Sequence, residues 1–494
     1  MKTKNIALYT MAASLLLSTS ACKDFVDLAP ISSATTANAY NTAPDAEAAL
    51  TGVYDSFSQE YYIWDNILFS DVISDNYYAG GDNPEIFAID KLEITPTNAR
   101  LNSNWGQLYG AIAKANLVLQ KVPAIQDAAL DNNNRRAEIL GEASFLRAFH
   151  YYQLVSLFGG VPLVTSPISS TESGATNVPR STEEEIYAQI ITDLEFAAAN
   201  LPDTYSGVAS ISKARATKGA ANALLAKVYA QKPSKDYSKV LQYADAVISS
   251  PADYRLMPSF DFLWDGDHYN NAESILEAQF EGGPEANYGP QLLLPPSISG
   301  DSWRKFVTPS KDLVKAFDDE NDQVRKNATV LFENAPWSDE YWALPVGGSV
   351  PFAYKWKSAN GWASTNRQYL LRLADIILLK AEALNELNRP LDAKLEVDKI
   401  RLRAGLPPTT ASTQATLKPA ILNERRLELA QEAQRWNDLK RYGVAVEVMN
   451  ALNEIDLRTN SKTNYNAQPT DLLLPIPQQE LNRNTKLTQN PGYN

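Results

Sequence analysis

Apolar side chains recur every three or four residues over long stretches of the chain, which is the spacing of an amphipathic helix. In the first stretch the apolar positions are Ala46, Ala49, Leu50, Val53 and Phe57. The same period predicts further helices over residues 104–122, 135–157, about 182–200 and 417–439. In the last of these, Pro419 is expected in the first turn, where its missing N–H needs no partner.

Two more stretches each predict a pair of helices divided near a proline. Residues 213–249 divide at Lys232-Pro233-Ser234, and residues 369–403 divide at Asn388-Arg389-Pro390. Helix pairs of about 34 residues with small residues at their contacts are typical of tetratricopeptide repeats. One pair cannot bury its own apolar face, so we expect the pairs to stack on one another.

The helical period is lost over residues 60–100 and 250–366, which are rich in aromatic and turn-forming residues. The second stretch contains weak strand patterns at residues 274–279 and 351–357. We therefore predict a mainly α fold, with tetratricopeptide-like helix pairs packed against a loop-rich half with a few short strands. The helical scaffold is expected mainly over residues 43–58, 104–249 and 369–440, within one domain of residues 43–494.

The N-terminus has the pattern of a secretory signal. Lys2 and Lys4 precede an apolar stretch at residues 6–17, which is shorter than the roughly 20 residues that a membrane-spanning helix needs. Small residues follow and lead directly to Cys22, the only cysteine. This order predicts a lipoprotein signal peptide over residues 1–21.

We expect Cys22 to be lipidated and residues 22–42 to form the anchor and tether. A lone thiol in an oxidising compartment would be a liability, and lipidation removes it. Thr19 stands where such signals usually have Leu, so ordinary signal cleavage near Ala21 is the alternative.

Charge and histidine content exclude several classes of function. The net charge is −13, whereas a nucleic-acid-binding protein needs a basic surface. The chain contains only two histidines, His150 and His268, which makes a His-dependent triad or a multi-His metal site improbable. No cofactor or metal is predicted.

The loop at residues 265–270 begins like a calcium loop but has Tyr269 and Asn270 where an EF-hand needs an acidic or amide residue and Gly.

Four motifs occur in a fixed order behind the signal. They are GEASFLRAFHYY (141–152) with FGGVPL (158–163); LRLADI (371–376) with AEA (381–383) and RLRAGL (401–406); ERRLEL (424–429) with RWNDL (435–439); and LPIP (474–477) with EL (480–481) and QNPGY (489–493). In this order they resemble the SusD/RagB family over almost the whole chain. Leu429, Ala433 and Asn437 stand where the family usually has Phe, Gly and Phe, which we interpret as packing differences.

The resemblance implies a non-catalytic lipoprotein of the outer membrane, exposed at the cell surface. Such proteins bind oligo- or polysaccharides in the loop-rich half, sit as a lid over a SusC-like TonB-dependent transporter, and deliver the ligand to it. RagB-type relatives handle peptides, so the same lid role with peptide cargo is the alternative. An envelope glycosidase is a third hypothesis, although no glycosidase motif frames any pair of acids.

Two aromatic segments are candidates for the sugar site. Residues 70–83 combine flat rings with short polar groups, and sugars need both; the candidates are Asp71, Asp75, Asn76, Tyr77 and Tyr78, with Trp64 ahead of them. The alternative interpretation is a turn with buried tyrosines. The second segment offers Trp303, Trp337, Tyr341, Trp342 and Trp362, with Arg367 reaching into the same site. Trp105, Trp356 and Trp436 lie in regular segments and are expected in the core.

The charged residues of the motifs are predicted to be structural. Glu142 and Arg147 share one helix, and Glu424, Arg425 and Arg426 share another. We expect ion pairs that tie loops to the helical core rather than an acid/base centre.

Overall fold

A computed structural model describes residues 40–168, 176–205 and 207–493. The predicted signal peptide, Cys22 and nearly all of the tether lie outside the described residues. The described part is mainly α with short strands, as the sequence predicts.

Most of the longer helices in the first half follow the predicted stretches closely. The helices of this half are α1 (Ala43–Tyr54), α2 (Pro84–Asp90), α3 (Ala99–Lys121), α4 (Arg135–Phe158), α5 (Glu183–Asn200), α6 (Ala209–Ala214), α7 (Lys218–Gln231) and α8 (Tyr237–Ile248).

The start of α5 shows why the beginning of this helix was predictable. Thr182 accepts a hydrogen bond from the Glu185 N–H, and the Glu185 carboxylate accepts one from the Thr182 N–H. This capping box satisfies two N–H groups that the helix leaves free.

The second half begins with short helices between loops and ends with longer ones. They are α9 (Gly289–Leu293), α10 (Pro296–Ser299), α11 (Lys311–Asp319), α12 (Gln323–Thr329), α13 (Leu373–Glu386), α14 (Pro390–Arg403), α15 (Gln414–Leu429), α16 (Arg435–Tyr442), α17 (Ala445–Ala451) and α18 (Gln478–Arg483).

The strands form antiparallel pairs. They are β1 (Tyr77–Tyr78) with β3 (Thr308–Pro309), β2 (Ser274–Ala278) with β6 (Gln368–Arg372), β4 (Val330–Asn334) with β5 (Ser349–Ala353), and β7 (Ile455–Asp456) with β8 (Ser461–Lys462). The two strand patterns found in the sequence correspond to β2 and β5.

The two predicted helix pairs stack on each other, as expected. Helices α7 and α8 form one pair, α13 and α14 form the other, and α8 packs against α13. Small residues such as Ala223, Ala226 and Ala381 are buried where the helices approach. The apolar face that each pair cannot bury alone is thus covered by the other pair.

Residues 60–100 differ from the predicted loop region. The chain forms two π-helical turns, Tyr61–Asp65 and Leu68–Val72, and then α2. Nearly every residue from 61 to 81 is buried. Each π-helical turn spans only five residues and is bonded i→i+5, so it lacks the 3.6-residue period of an α-helix.

The predicted helix over residues 417–439 is two helices. The chain leaves α15 at Leu429 and enters α16 at Arg435, with left-handed backbone at Gln431 (φ 66°) and Ala433 (φ 56°). The departure at Ala433 is therefore more than a packing difference, since glycine adopts this conformation without the penalty that a Cβ adds.

The start of α15 also differs. Because the helix begins at Gln414, Pro419 lies inside it and not in its first turn. Proline lacks the N–H that an α-helical residue donates to the carbonyl four positions earlier, here that of Ala415.

We predict that Ala433→Gly stabilises the protein by about 1 kcal/mol, because it relieves left-handed strain that costs roughly 1–2 kcal/mol in a non-glycine residue. Urea unfolding measures the change. Ala430→Gly is the matched control: Ala430 has φ −53°, so the same substitution there should destabilise the protein. A loss of stability in Ala433→Gly would contradict the account.

Candidate functional site

Two adjoining cavities form an open groove in the loop-rich half. The first, here the aromatic cavity, has a volume of about 470 Å³ and is lined by Gly81, Asp82, Leu292, Trp303, Arg304, Phe306 and Trp362. The second, here the polar cavity, has a volume of about 450 Å³ and is lined by Ala79, Gly81, Asp82, Phe87, Asp90, Lys91, Arg304, Glu340, Tyr341, Asp456, Arg458 and Thr463. Both cavities share Gly81, Asp82 and Arg304, which places an aromatic wall beside a polar one.

Two glycines bring the walls of the groove into contact. A Cβ on Gly80 would lie 1.9 Å from the Lys305 carbonyl oxygen, and a Cβ on Gly81 (φ +69°) would lie 2.4 Å from the Phe306 ring. Only residues without a side chain fit at such distances. The Gly-Gly step therefore lets the chain around residue 80 pack directly on the segment that carries Trp303 and Phe306.

Aromatic rings pack against one another at tilted angles beside the aromatic cavity. The centroids of Trp303 and Phe306 are 5.5 Å apart, and Phe306 lies 5.7 Å from Trp64 beneath it. The Lys305 ammonium lies 3.8 Å from the centre of the Trp303 ring, a cation–π contact that fixes the indole. Trp64, a predicted site residue, is buried. It packs against Phe306 but does not line the aromatic cavity.

Trp362 is presented to solvent by a strained turn. It is 50% exposed, and it lies third in a run of left-handed residues: Asn360 (φ 46°), Gly361 (φ 56°) and Trp362 (φ 76°). A bulky residue in this conformation is an outlier, and such strain is found preferentially at functional sites. The fold thus holds a large apolar ring in water at the edge of the cavity.

Two arginine–carboxylate pairs line the polar cavity. Arg304 Nη2 donates to Glu340 Oε2 at 2.5 Å, and Arg458 Nη2 donates to Asp456 Oδ2 at 2.6 Å. The Tyr341 hydroxyl lies 3.0 Å from that of Thr463. The polar cavity is therefore lined by both hydrogen-bond donors and acceptors.

Asp90 forms the buried end of the polar cavity. Its Oδ2 accepts a hydrogen bond from the Ala79 N–H at 3.1 Å, while Oδ1 has no hydrogen-bond partner among the described residues. Burial and the nearby Glu454 raise the pKa of Asp90 well above its usual value. Burial therefore favours the neutral form of this carboxyl.

A buried ion pair fixes the groove from behind. Arg435 Nε and Nη2 donate to the two carboxylate oxygens of Asp75 at 2.7 Å each, and Arg426 Nη2 lies 3.1 Å from Oδ2. Burial raises the pKa of Asp75, but the two arginines outweigh burial and lower the pKa to about 2. Asp75 is directly followed by Asn76, whose carbonyl accepts from the Ser310 N–H, and then by β1.

Asp71 holds the break between α15 and α16. Its carboxylate accepts from the Gln431 N–H at 3.3 Å and from the Ala433 N–H at 2.8 Å. Burial raises the pKa of Asp71 to about 7. Its role in the described structure is to satisfy the backbone of a left-handed turn.

The structure corrects the first predicted segment. Asp71, Asp75, Asn76, Tyr77 and Tyr78 are each at most 2% exposed, and most of their polar groups bond to protein. A turn with buried tyrosines, the alternative interpretation, describes this segment. Polar residues in a loop resemble a ligand site in sequence because buried ion-pair partners and exposed ligand contacts use the same residue types.

Of the six candidates in the second predicted segment, three line the groove. Trp303 and Trp362 line the aromatic cavity and Tyr341 lines the polar one. Three other candidates face elsewhere. Trp337 packs against Phe352, the Trp342 indole donates to the Pro309 carbonyl, and Arg367 pairs with Glu277.

Other lining residues were not predicted. Arg304 and Phe306 directly follow Trp303 in the sequence WRKF, and that cluster was a usable signal. Asp456 and Arg458 come from a hairpin in a stretch with no distinctive composition, so only the fold brings them to the groove.

The motif charges are structural, as predicted. Glu142 pairs with Arg135 and Arg215, and Arg147 pairs with Asp193. Glu424 pairs with Arg325 and Arg401, Arg425 pairs with Asp375 and Asp438, and Arg426 pairs with Asp75 and Asp312. Trp105, Trp356 and Trp436 are buried, also as predicted.

Within residues 40–168, 176–205 and 207–493, no group of three or more His, Cys, Asp or Glu side chains is arranged to hold a metal ion. Asp265, which begins the calcium-like loop, accepts hydrogen bonds from the N–H groups of Asp267 and His268. None of the helices in the described ranges is both long enough and apolar enough to cross a membrane.

Comparison with known proteins decides the family. A model described as the SusD family matches residues 252–493, and a model described as starch-binding, associating with the outer membrane, matches residues 24–230. The chain belongs to the SusD/RagB family. This confirms the resemblance carried by the four motifs, and the two matches together cover nearly all of this family member.

Relatives and a solved structure match most of the chain. "SusD-like protein P2" of Formosa agariphila is 29% identical over 97% of this chain and 98% of its own. "Starch-binding protein SusD" of Bacteroides thetaiotaomicron is 24% identical over 84% of this chain and 83% of its own. A solved "Laminarin binding SusD-like protein" superposes with a TM-score of 0.74 at 28% identity, over 92% of this chain and 100% of its own.

We predict that Asp75→Asn destabilises the protein by roughly 3–5 kcal/mol, because it leaves two buried guanidinium groups without their shared carboxylate. Chemical unfolding at pH 7 measures the loss. The control is Asp319→Asn, which removes a carboxylate from an exposed pair with Lys315 and should leave stability nearly unchanged.

The same carboxylate predicts a pH dependence. Its folded pKa of about 2 lies below the unfolded value of about 3.9. Its contribution to stability is therefore present above about pH 4 and is lost as the pH falls through about 2. An Asp75→Asn variant as stable as the wild type at pH 7 would contradict the assignment.

Proposed function

We propose that this protein is a cell-surface glycan-binding lipoprotein that captures oligo- or polysaccharides in the groove. It then delivers them to a SusC-like TonB-dependent transporter in the outer membrane and does not cleave them. Lipidation at Cys22 provides the anchor, and the groove formed by the aromatic and polar cavities provides the binding site.

The observation that carries the proposal is the exposed Trp362 beside Trp303 at the edge of a polar cavity. Sugar rings have apolar C–H faces that stack on aromatic rings, and hydroxyl edges that need hydrogen-bond donors and acceptors. The groove offers both on adjoining walls. Placing a tryptophan in strained, half-exposed backbone is unfavourable for folding alone, which supports a role in binding.

The relatives support the same cargo. One is named for starch binding and one solved structure for laminarin binding, and one matching family model is described as associating with the outer membrane. The acidic net charge of −13 is compatible with a surface protein and unfavourable for nucleic acid.

Two carboxylates of the groove are held by arginines, which supports binding without cleavage. Glycosidases use two carboxyl groups placed on either side of the scissile bond, one of them as a nucleophile or base. Glu340 and Asp456 are instead paired with Arg304 and Arg458, which favours hydrogen bonding to hydroxyl groups over attack on an anomeric carbon.

We predict that Trp362→Gly lowers glycan affinity about tenfold or more while not lowering the free energy of unfolding. Losing the contact forfeits roughly 1.5–3 kcal/mol of apolar burial, and about 1.4 kcal/mol corresponds to tenfold in affinity. Glycine also relieves the left-handed backbone. Isothermal titration against laminarin, amylose and xylan measures affinity, and urea unfolding measures stability.

Phe196→Ala is the matched control, since Phe196 is 42% exposed on α5, outside the groove. It should leave affinity unchanged. If wild-type protein binds no glycan in the panel, or if Trp362→Gly binds as tightly as wild type, the proposed site is wrong.

A further inference from the structure

We propose that the groove selects uncharged glycans and discriminates against sugars that carry carboxylate or sulfate groups, because the protein neutralises its own guanidinium groups there. This inference rests on the proposed function and specifies the chemical class of its ligand.

The cationic side chains that line the groove do not outnumber the carboxyl groups. Apart from Asp90, three carboxylates face three cations: Asp82, Glu340 and Asp456 against Lys91, Arg304 and Arg458. Asp90 is a fourth carboxyl group whose pKa is raised by burial, and it adds no positive charge in either protonation state. A site for an anionic ligand would show an excess of cations, and this lining shows none.

Arg304 is the cation best placed to meet a ligand, since it lines both cavities. Its Nη2 is already bonded to Glu340, a carboxylate that is 8% exposed. An anionic sugar at Arg304 would have to approach Glu340 as well, and like charges in a partly desolvated cavity repel each other strongly. The Arg304 side chain is 25% exposed, and a neutral hydroxyl can accept a hydrogen bond from its guanidinium without this repulsion.

Arg458 repeats the arrangement. Its Nε and Nη2 donate to the two carboxylate oxygens of Asp456 at 3.0 and 2.6 Å, a bidentate pair that uses the face suited to an external carboxylate. Lys91 is exposed, where water and salt screen its charge. Each arginine therefore presents a donor beside an acceptor, which matches the neighbouring hydroxyl groups of a neutral sugar.

The test compares one glycan with and without charge. The glycan of the laminarin, amylose and xylan panel that binds most tightly, or the most soluble of them if none binds, is oxidised in part so that some alcohols become carboxylates. Both forms are titrated at low ionic strength, where screening is weak. We expect wild type to bind the oxidised form at least about tenfold more weakly, a factor that corresponds to 1.4 kcal/mol.

Glu340→Gln should free Arg304 and reduce this discrimination at least about threefold, a change of roughly 0.6 kcal/mol. Asp456→Asn is the second variant, used if Glu340→Gln alters the thermal unfolding of the protein. Asp131→Asn is the control: it removes a carboxylate paired with Arg136 outside the groove and changes the net charge by the same amount, so it should leave the discrimination unchanged.

The outcomes separate the two proposals. If the oxidised form binds wild type as tightly as the neutral form or more tightly, glycan binding stands and the selection of neutral sugars is overturned. The same holds if Glu340→Gln and Asp456→Asn both discriminate as strongly as wild type. If neither form binds wild type, the proposed function itself fails.

Discussion

The groove depends on a buried ion pair that lies behind it. Asp75 is held by Arg426 of α15 and Arg435 of α16, so the helical scaffold grips the chain directly before β1. Strand β1 pairs with β3, where Tyr78 stands opposite Thr308, and the glycines after β1 pack against Lys305 and Phe306. The Asp75 carboxylate thus fixes the aromatic wall relative to helices α15 and α16.

This arrangement costs some stability but fixes the loops in one position. Burying charges is costly, and apolar side chains of the same volume would often stabilise a core equally well. Arginine–carboxylate pairs have directional geometry, however, and they fix a loop in one place. Beyond Asp75, Glu428 pairs with Arg325, Arg372 and Arg403, so loop-rich segments are tied to the helices at several points. A rigid frame of this kind can hold Trp362 in an unfavourable backbone conformation.

Long helices were predictable from the sequence, and α4, α5 and both helix pairs fall close to their expected bounds. The stretch at 61–81 was not, because its π-helical turns are only five residues long and lack the 3.6-residue period. Asp71 and Asp75 resembled ligand contacts because buried ion-pair partners and ligand contacts use the same residue types. Trp303 and Trp362 could be proposed from their loop context. Arg458 and Asp456 could not, since more than 90 residues separate them from Trp362 and only the tertiary fold brings the segments together.

A crystal structure of the protein with an oligosaccharide of the best-binding glycan tests the central claim most directly. The account predicts a sugar ring stacked on the Trp362 indole, within about 4.5 Å, with hydroxyl groups bonded to Arg304 or Glu340 and with the Asp75 ion pair intact. A sugar bound instead in a different cavity, such as the one lined by Trp105 and Tyr109, with the groove empty, would contradict it.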